Sequence, residues 1–593
     1  GGSMSVIASW RRRLVCAIGV CAALAAAGPA AAAGFTAISG EAWNDEAVRR
    51  VLHTFAYGGQ ATEEQINLWA NMAPADAIAE MLTFAPSNTK LSAPSGKDTD
   101  RLSERNSSLS GLRSFWGSSD PENNTPLELR DDFAADAWDY PQRTWIRAVR
   151  SRGLNPFRHR IAFWEANYHL AVNREVGVEH DQLVAYYDAI LADLRRNAPY
   201  HELMATAAKS AAIAMQYGHR KNRFVDGACQ CNEDFAREFH QLFFGILGDY
   251  DPSRHERVTI KNTARLLTDM SVTWREASGW DTYVTFGSKY HFGGPLTILD
   301  TVVQSNTADL GIDQLAQVAI QHPESLANLP VKIIAGLADD RLDDAKIKVI
   351  REAWAALPNK SLLNFLRQYA TSTTFHNAKR RRHLSSFDRH MLVATQLTLT
   401  NTEAAIDLHR PQWGLNGEAV SVFEPRHNVF GGQTGVEAAS SGDVFRSAYL
   451  RSTEQNWPLQ TSGEQYGVKY TKDFRVLVPA RHTEDFRVDR VAAMLWKRFM
   501  GSLKNFGPLE RAHVYALLAR GTDLATVIDE TKPDAVYTAA TMEKKTTLMS
   551  SMASNQLPLS HQDPARRADA NRRVMEAIEF IIATPYMFVE EGL

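Results

Sequence analysis

A chain of 593 residues, 44% of them hydrophobic, is long enough to bury large cores, and the usual size of domains predicts two to four of them. Its 65 basic and 68 acidic side chains give a formal net charge of −3, which offers no support for nucleic acid as a partner. After the N-terminal segment, no uncharged run approaches the roughly 20 residues that span a bilayer, so no integral membrane segment is predicted in the mature chain.

The N-terminal segment has the three parts of a secretory signal peptide. Residues 1–3 precede Met4 and are interpreted as a tag remnant, so the predicted signal covers 4–33. Its parts are a basic region at Arg11, Arg12 and Arg13, a short apolar run over 14–27 and a small-residue cleavage site over 30–33. The segment predicts a periplasmic or secreted protein, and both the general secretory and the twin-arginine routes stay open. Removing it would leave 62 basic and 68 acidic side chains, a net charge of −6.

Helical periodicity dominates the rest of the chain. It predicts a mainly α, large multi-helix globular fold with long irregular loops. In the N-terminal half, helices are predicted over 47–57, 63–84, parts of 136–172, 182–195, 200–217 and 258–267. Further helices are predicted over 312–320, 330–337, 345–356, 361–369, 487–499, 509–519, 524–529 and 566–583. Residues 273–290 are rich in Thr, Tyr, Val and Trp, which is typical of a short β-hairpin.

Two stretches with little periodicity mark the predicted organisation. Residues 86–126 are rich in Ser, Asn and Pro and are interpreted as a loop insertion. Residues 401–470 are rich in Gly, Ser and Pro and are predicted to be irregular. The predicted order is therefore a helical domain over 34–400, the irregular region, and a C-terminal helical region over 471–593.

Residues 229–240, with the sequence CQCNEDFAREFH, bring two cysteines, three acids, an arginine and a histidine together within twelve positions. Asn232 is a favourable N-cap, and the acids that follow it suit the first turn of a helix. Glu233 and Arg237 are four residues apart and are predicted to pair on one face, with His240 a further turn along it.

Two interpretations of this block stay open. In the first, Glu233, Arg237, Glu238 and His240 are catalytic: a carboxylate and an imidazole bind a divalent metal or exchange a proton with substrate, while Arg237 holds an anionic or carbonyl oxygen. In the second, the block is structural, and Arg237 crosslinks neighbouring elements through carboxylates and backbone carbonyls.

Cys229 and Cys231 are the only cysteines expected in the mature chain. An oxidising compartment favours a disulfide between them, either purely structural or redox-active. The alternative is a thiolate pair that binds Cu(I) or Zn²⁺, with His219 or His240 as a third ligand.

Two further groups of polar residues could bind a ligand. Glu165 and His169 are four residues apart on a predicted helix, a spacing that can place two ligands on one metal, although the interpretation favoured here is packing beside Trp164. Histidines 376, 383 and 390 recur every seven residues beside three arginines. They are interpreted either as one helical stripe that binds a metal or an anion, or as a solvated basic face.

The block at 229–240 also carries a family resemblance. Its residues 232–238, followed by Leu242-Phe243 and Gly248-Asp249-Tyr250, resemble the Asn-Glu-x-x-Ala-Arg-Glu, Leu-Phe and Gly-x-Tyr segments of the bacterial proteins called domain of unknown function 1800. Other similar segments follow in the family's order, at 51–58, 163–169, 264–268, and His322-Pro323 with Lys332. The resemblance covers about 47–399.

The resemblance has limits as well as implications. The family usually has Pro where this chain has Cys231, and the acid of its His-Asp-x-Gly-x-Lys segment is missing at 289–294. Membership would imply export, a mostly helical fold, and the company of exported proteins of a second family, domain of unknown function 1501, which looks like the alkaline phosphatase and sulfatase group. It implies no established reaction.

Two functions are therefore predicted as alternatives. The first is an exported, metal-assisted enzyme or catalytic subunit that acts on an extracellular polymer or envelope substrate and uses a divalent metal or copper. The second is a non-catalytic periplasmic scaffold or binding protein that works with a phosphatase- or sulfatase-like partner.

Overall fold

The computed structural model describes residues 34–86, 155–173, 176–274, 282–400, 423, 425, 461–465, 468–478, 486–530 and 539–592. The predicted signal peptide, almost all of the predicted loop insertion and most of the predicted irregular region lie outside these ranges, as does the first part of the helical stretch predicted within 136–172.

The fold is mainly α, as predicted. In the first half the α-helices are Asp45–Ala56, Glu63–Ala70, Pro74–Met81, Pro156–Trp164, His180–Arg195, Tyr200–Ala208, Ala211–Tyr217, Asp234–Glu238, Pro252–Arg254 and Lys261–Leu266. In the second half they are Ala308–Ile320, Pro323–Leu337, Asp344–Ala356, Leu362–Thr371, Ser386–Leu397, Val488–Met500, Pro508–Arg520, Leu524–Glu530, Ala539–Ser554 and Pro564–Ile582. Three wider π-helical turns occur at Glu165–His169, Phe239–Phe243 and His255–Ile260.

The described strands form antiparallel pairs. These pairs are Arg223–Val225 with Ala228–Gln230, Met270–Trp274 with Thr282–Phe286, Leu296–Ile298 with Thr301–Val303, Ser462–Gln465 with Val468–Thr471, and Arg381–His383 with Val589–Glu591. The predicted hairpin is confirmed. It begins three residues earlier than the predicted range, since Met270 pairs with Phe286.

Several helix predictions needed correction. Two long predicted helices are each divided in two, one of them at Ser210, whose hydroxyl accepts the N–H of Ile213 and starts a new helix. The predicted stripe of three histidines is wrong: His376 lies in a turn, His383 in a strand and His390 in a helix. Helices 386–397 and 539–554 were not predicted.

Two hydrophobic cores organise the described residues. The larger one contains Trp164 and Trp354 and draws on residues from 38 to 423, whereas the smaller one contains Trp496 and draws on residues from 392 to 587. Helix Ser386–Leu397 joins them, because its Met391 packs in the larger core and its Leu397 in the smaller. In the part of the chain that the structure describes, no helix is both long and apolar enough to cross a membrane.

Candidate functional site

The candidate site is organised around a segment that we call the signature segment, residues 232–243, which comprises helix Asp234–Glu238 and the π-turn after it. Asn232 anchors its beginning: its side chain accepts the N–H of Asp234 at 2.8 Å and donates to the carbonyl of Tyr217 at 3.1 Å. The helix begins one residue later than predicted, with Glu233 rather than Asn232 at the N-cap position.

Arg237 takes a different partner from the predicted one. Its guanidinium donates to the carboxylate of Glu256, which lies on the neighbouring π-turn, rather than pairing with Glu233. Both side chains of this ion pair are substantially exposed, at 37% and 53%. Such an exposed pair stabilises the fold by roughly 1 kcal/mol at most.

The π-turn at the end of the signature segment makes backbone carbonyls available to side chains from other elements. A π-turn departs from the regular i to i−4 hydrogen-bond pattern of the α-helix. Three side chains donate to carbonyls here: Lys332 Nζ to Leu242 at 3.0 Å, His169 Nε2 to Phe243 at 2.7 Å, and Asn328 Nδ2 to Gly245 at 2.8 Å. The segment is thereby held against helix Pro323–Leu337 and the π-turn at Glu165–His169.

Glu165 and His169 come together, as their spacing predicts, in a fully buried triad with Tyr200. His169 Nδ1 lies 2.6 Å from Glu165 Oε2, and the Tyr200 hydroxyl donates to Glu165 Oε1 at 2.5 Å. His169 Nε2 donates to the Phe243 carbonyl at 2.7 Å, and the Tyr200 hydroxyl also lies 3.0 Å from His169 Nδ1. The donor atoms predicted to bind a metal are therefore engaged with one another and with Tyr200.

Glu238 and Lys332 form the most unusual pair of this site. Both side chains are half-buried, and among the described residues the buried Oε2 of Glu238 has no hydrogen-bond partner. The Lys332 amine makes a hydrogen bond to the Leu242 carbonyl and, among the described residues, no ion pair. The two groups are nevertheless near enough for each to influence the other's pKa.

Burial brings the pKa values of both groups closer to neutral pH. It raises the pKa of Glu238 to about 7, against the opposing charges of Arg237 and Lys332. It lowers the pKa of Lys332 to about 8, against the carboxylates of Glu165 and Glu238, which raise it. The sequence predicts Glu238 as a catalytic residue. Lys332, 94 residues further along the chain, belongs only to the segments that resemble the family.

His240, another predicted catalytic residue, is completely buried. Its Nε2 lies 2.8 Å from the Thr263 hydroxyl, which itself donates to the Thr259 carbonyl, so Nε2 carries the hydrogen. Nδ1 is then an acceptor for which the described residues provide no partner. Its ring stands edge-on to His255 at 5.8 Å. Burial, together with the charges of His255 and His322, holds the pKa of His240 well below its usual range.

The sulfur atoms of Cys229 and Cys231 lie within bonding distance, with 5.2 Å between their Cα atoms, which matches the disulfide alternative. His219, a predicted third metal ligand, is buried with its ring stacked on Phe235 at 4.4 Å. Within the described ranges, no group of three or more His, Cys, Asp or Glu side chains is arranged to hold a metal ion.

The fold and this site define a helical protein with a buried polar network around the signature segment. The chain belongs to the family described as "Protein of unknown function (DUF1800)", whose model matches residues 50–405, more than half of the chain. The matched range contains every candidate site residue named above and confirms the resemblance. No curated protein and no solved structure matches the chain.

Proposed function

We propose that this protein is an exported enzyme that acts on an extracellular polymer or envelope substrate, with Glu238 and Lys332 as its proton-transfer pair. The observation that supports this most directly is the buried Oε2 of Glu238, which has no hydrogen-bond partner in the described part of the chain although a lysine amine lies near enough to influence its pKa. Leaving a buried polar atom unpaired costs about 1–3 kcal/mol, so a bound substrate that supplies the missing partner would recover that energy.

The protonation states of the pair suit acid–base catalysis. With a pKa of about 7, Glu238 exists in both forms near neutral pH and can accept or donate a proton. With a pKa of about 8, about a tenth of Lys332 is neutral at pH 7. Pairs of groups whose environments bring their pKa values close to the working pH are typical of active sites.

Glu165, His169 and Tyr200 are positioning residues in this proposal. His169 donates to the Phe243 carbonyl, next to the Leu242 carbonyl that accepts from Lys332. The triad thus fixes the position of the π-turn whose Leu242 carbonyl binds Lys332. Arg237 has no catalytic role in the proposal, because its guanidinium is paired with Glu256 at the surface.

The test is a panel of isolated envelope polymers, including peptidoglycan and extracellular polysaccharides, with product release followed by mass spectrometry. Glu238→Gln and Lys332→Met should each lower turnover by about 10²- to 10⁴-fold, the usual contribution of a general acid or base. Glu233→Gln is the matched control, since it removes a half-exposed carboxylate from the same segment and should change turnover by less than about twofold. Turnover that survives Glu238→Gln would refute the assignment.

The predicted metal assistance is tested in the same assay. A metal-assisted reaction should stop after dialysis against a chelator and return when Zn²⁺ or Cu²⁺ is added. Full activity after chelation would leave proton transfer at Glu238 and Lys332 as the mechanism.

Tyr250 favours a second candidate function, the predicted scaffold for a phosphatase- or sulfatase-like partner. Its side chain is 98% exposed. The loop that carries it is fixed, because Glu324 accepts the N–H groups of Gly248 at 3.3 Å and Asp249 at 3.2 Å. A rigid exposed tyrosine is a typical anchor of protein interfaces. Co-purification of such a partner from the native host, lost in Tyr250→Ala but kept in Glu238→Gln, would support the scaffold.

A further inference from the structure

Lys332 differs from Lys209, Lys346 and Lys360, which are also half-buried or buried, in how its nitrogen is used. Lys346 and Lys209 each form an ion pair, with Asp339 at 2.8 Å and Asp313 at 2.7 Å. Lys360 donates to three carbonyls, those of Trp354, Ala355 and Leu357, which occupy all three hydrogens of an ammonium group.

Among the described residues, in contrast, the Lys332 nitrogen makes one hydrogen bond, to the Leu242 carbonyl at 3.0 Å. One hydrogen bond of this kind orients the nitrogen and can be made by the neutral amine as well as by the ammonium. In the part of the chain that the structure describes, the other bonding directions of the nitrogen have no protein partner, and the residue is half-buried rather than fully buried.

From this arrangement we infer that Lys332 is a nucleophilic amine that forms an imine with an aldehyde or ketone group of the substrate, and that Glu238 is the acid that releases water. The inference rests on the proposed proton-transfer pair and adds a substrate class to it. A lysine amine becomes a nucleophile when burial favours its neutral form, as it does for Lys332.

The reaction balances with the groups present. The neutral amine attacks the carbonyl carbon, a C–N bond forms, and the carbonyl π electrons move to oxygen, which takes up the proton of the protonated Glu238 carboxyl group and leaves it as a carboxylate. The nitrogen then loses a proton to the Glu238 carboxylate. Glu238 returns that proton to the hydroxyl group, which leaves as water while the nitrogen lone pair forms the C=N bond. Addition of water reverses every step, so no oxidant or reductant takes part.

The inference is tested by reductive trapping. The full-length protein is incubated with glycolaldehyde and sodium cyanoborohydride at pH 7 for short times, digested, and its lysine adducts are measured by mass spectrometry. Between a lysine with pKa about 8 and one at 10.5, the neutral fraction at pH 7 differs about 300-fold. Because a less basic amine is also intrinsically less nucleophilic, we expect Lys332 to react at least about tenfold faster than Lys209 or Lys346.

The pH dependence separates selective reactivity from simple exposure. Labelling of Lys332 should rise to half its maximum near pH 8, well below the value of 10.5 that is usual for a lysine. Lys332→Arg should remove the adduct while circular dichroism stays unchanged. Labelling of Lys332 no faster than that of Lys209, or with a midpoint near 10.5, would overturn the inference.

This experiment needs no turnover, so its outcome is separate from that of the polymer assay. Selective trapping at Lys332 combined with a Glu238→Gln variant that keeps full turnover would reject the proposed proton-transfer function and retain the reactive amine. Loss of turnover in Glu238→Gln without selective trapping would reject the imine and retain proton transfer.

Discussion

Replacing Glu590 with glutamine should destabilise the fold strongly, although it changes the side chain by only one atom. Glu590 lies on strand Val589–Glu591, which pairs with Arg381–His383. Its carboxylate contacts Arg380 at 3.4 Å and Arg382 at 3.0 Å, and the hydroxyl of Thr54 donates to it. The Arg380 side chain is fully buried, and those of Arg382 and Glu590 are 7% and 9% exposed.

The magnitude follows from that burial. Removing one partner of a buried ion pair costs about 3–5 kcal/mol, because the remaining charge stays buried without compensation. Arg382 keeps a second carboxylate, that of Asp388 at 3.0 Å, whereas Arg380 keeps only carbonyl acceptors. We therefore expect a loss of about 3 kcal/mol, the lower end of the range.

Urea denaturation followed by tryptophan fluorescence and by far-ultraviolet circular dichroism measures this loss. Glu591→Gln is the matched control: Glu591 is the next residue on the same strand, but its ion pairs with Arg381 and Lys504 are both at least about one quarter exposed, so we expect about 1 kcal/mol or less. If Glu590→Gln destabilises the protein no more than Glu591→Gln, the buried charge network does not have the energetic role argued above.

Three further predictions concern the candidate site and its surroundings. Burial lowers the pKa of His219 to about 3, below its unfolded value near 6.5. The neutral ring therefore stabilises the fold above pH 6.5, and this stability is lost as pH falls. His219→Phe should remove about 2 kcal/mol of the decrease in unfolding free energy between pH 8 and pH 5, measured by urea denaturation. Tyr200→Phe should cost about 1–3 kcal/mol by leaving Glu165 Oε1 buried without its donor, and an unchanged urea midpoint would contradict the triad. Alkylation without reduction should leave Cys229 and Cys231 unmodified in peptide maps, whereas labelling of either would contradict the disulfide.

Periodicity predicted much of the helical framework because long amphipathic helices such as His180–Arg195 are determined by their own sequence. The breaks within the predicted helices were harder to place. At Ser210 the hydroxyl competes for a backbone N–H and starts a second helix within one apolar pattern. The π-turn at Phe239–Phe243 could not be predicted locally, because the side chains that donate to its carbonyls, among them Lys332, come from distant segments.

The sequence predicted only those parts of the candidate site that lie close together along the chain. Glu238 belongs to a dense local block that sequence alone makes conspicuous, and the spacing of Glu165 and His169 correctly places them together. Lys332 and Tyr200 reach the site only through tertiary packing, from helices that contain no local signal of chemistry. Glu256, which pairs with Arg237 in place of the predicted Glu233, likewise lies near Arg237 only in the folded chain.

A direct titration of the Glu238 carboxyl group tests whether it ionises near neutral pH beside a lysine. Glutamate labelled with ¹³C at the side-chain carboxyl carbon is incorporated into the protein, and the Glu238 resonance is assigned by its absence in Glu238→Gln. We predict a titration midpoint near pH 7 that moves further upward in Lys332→Met, because the lysine charge opposes the shift. A midpoint near the usual 4.5, unchanged by Lys332→Met, would contradict the proposed proton-transfer pair.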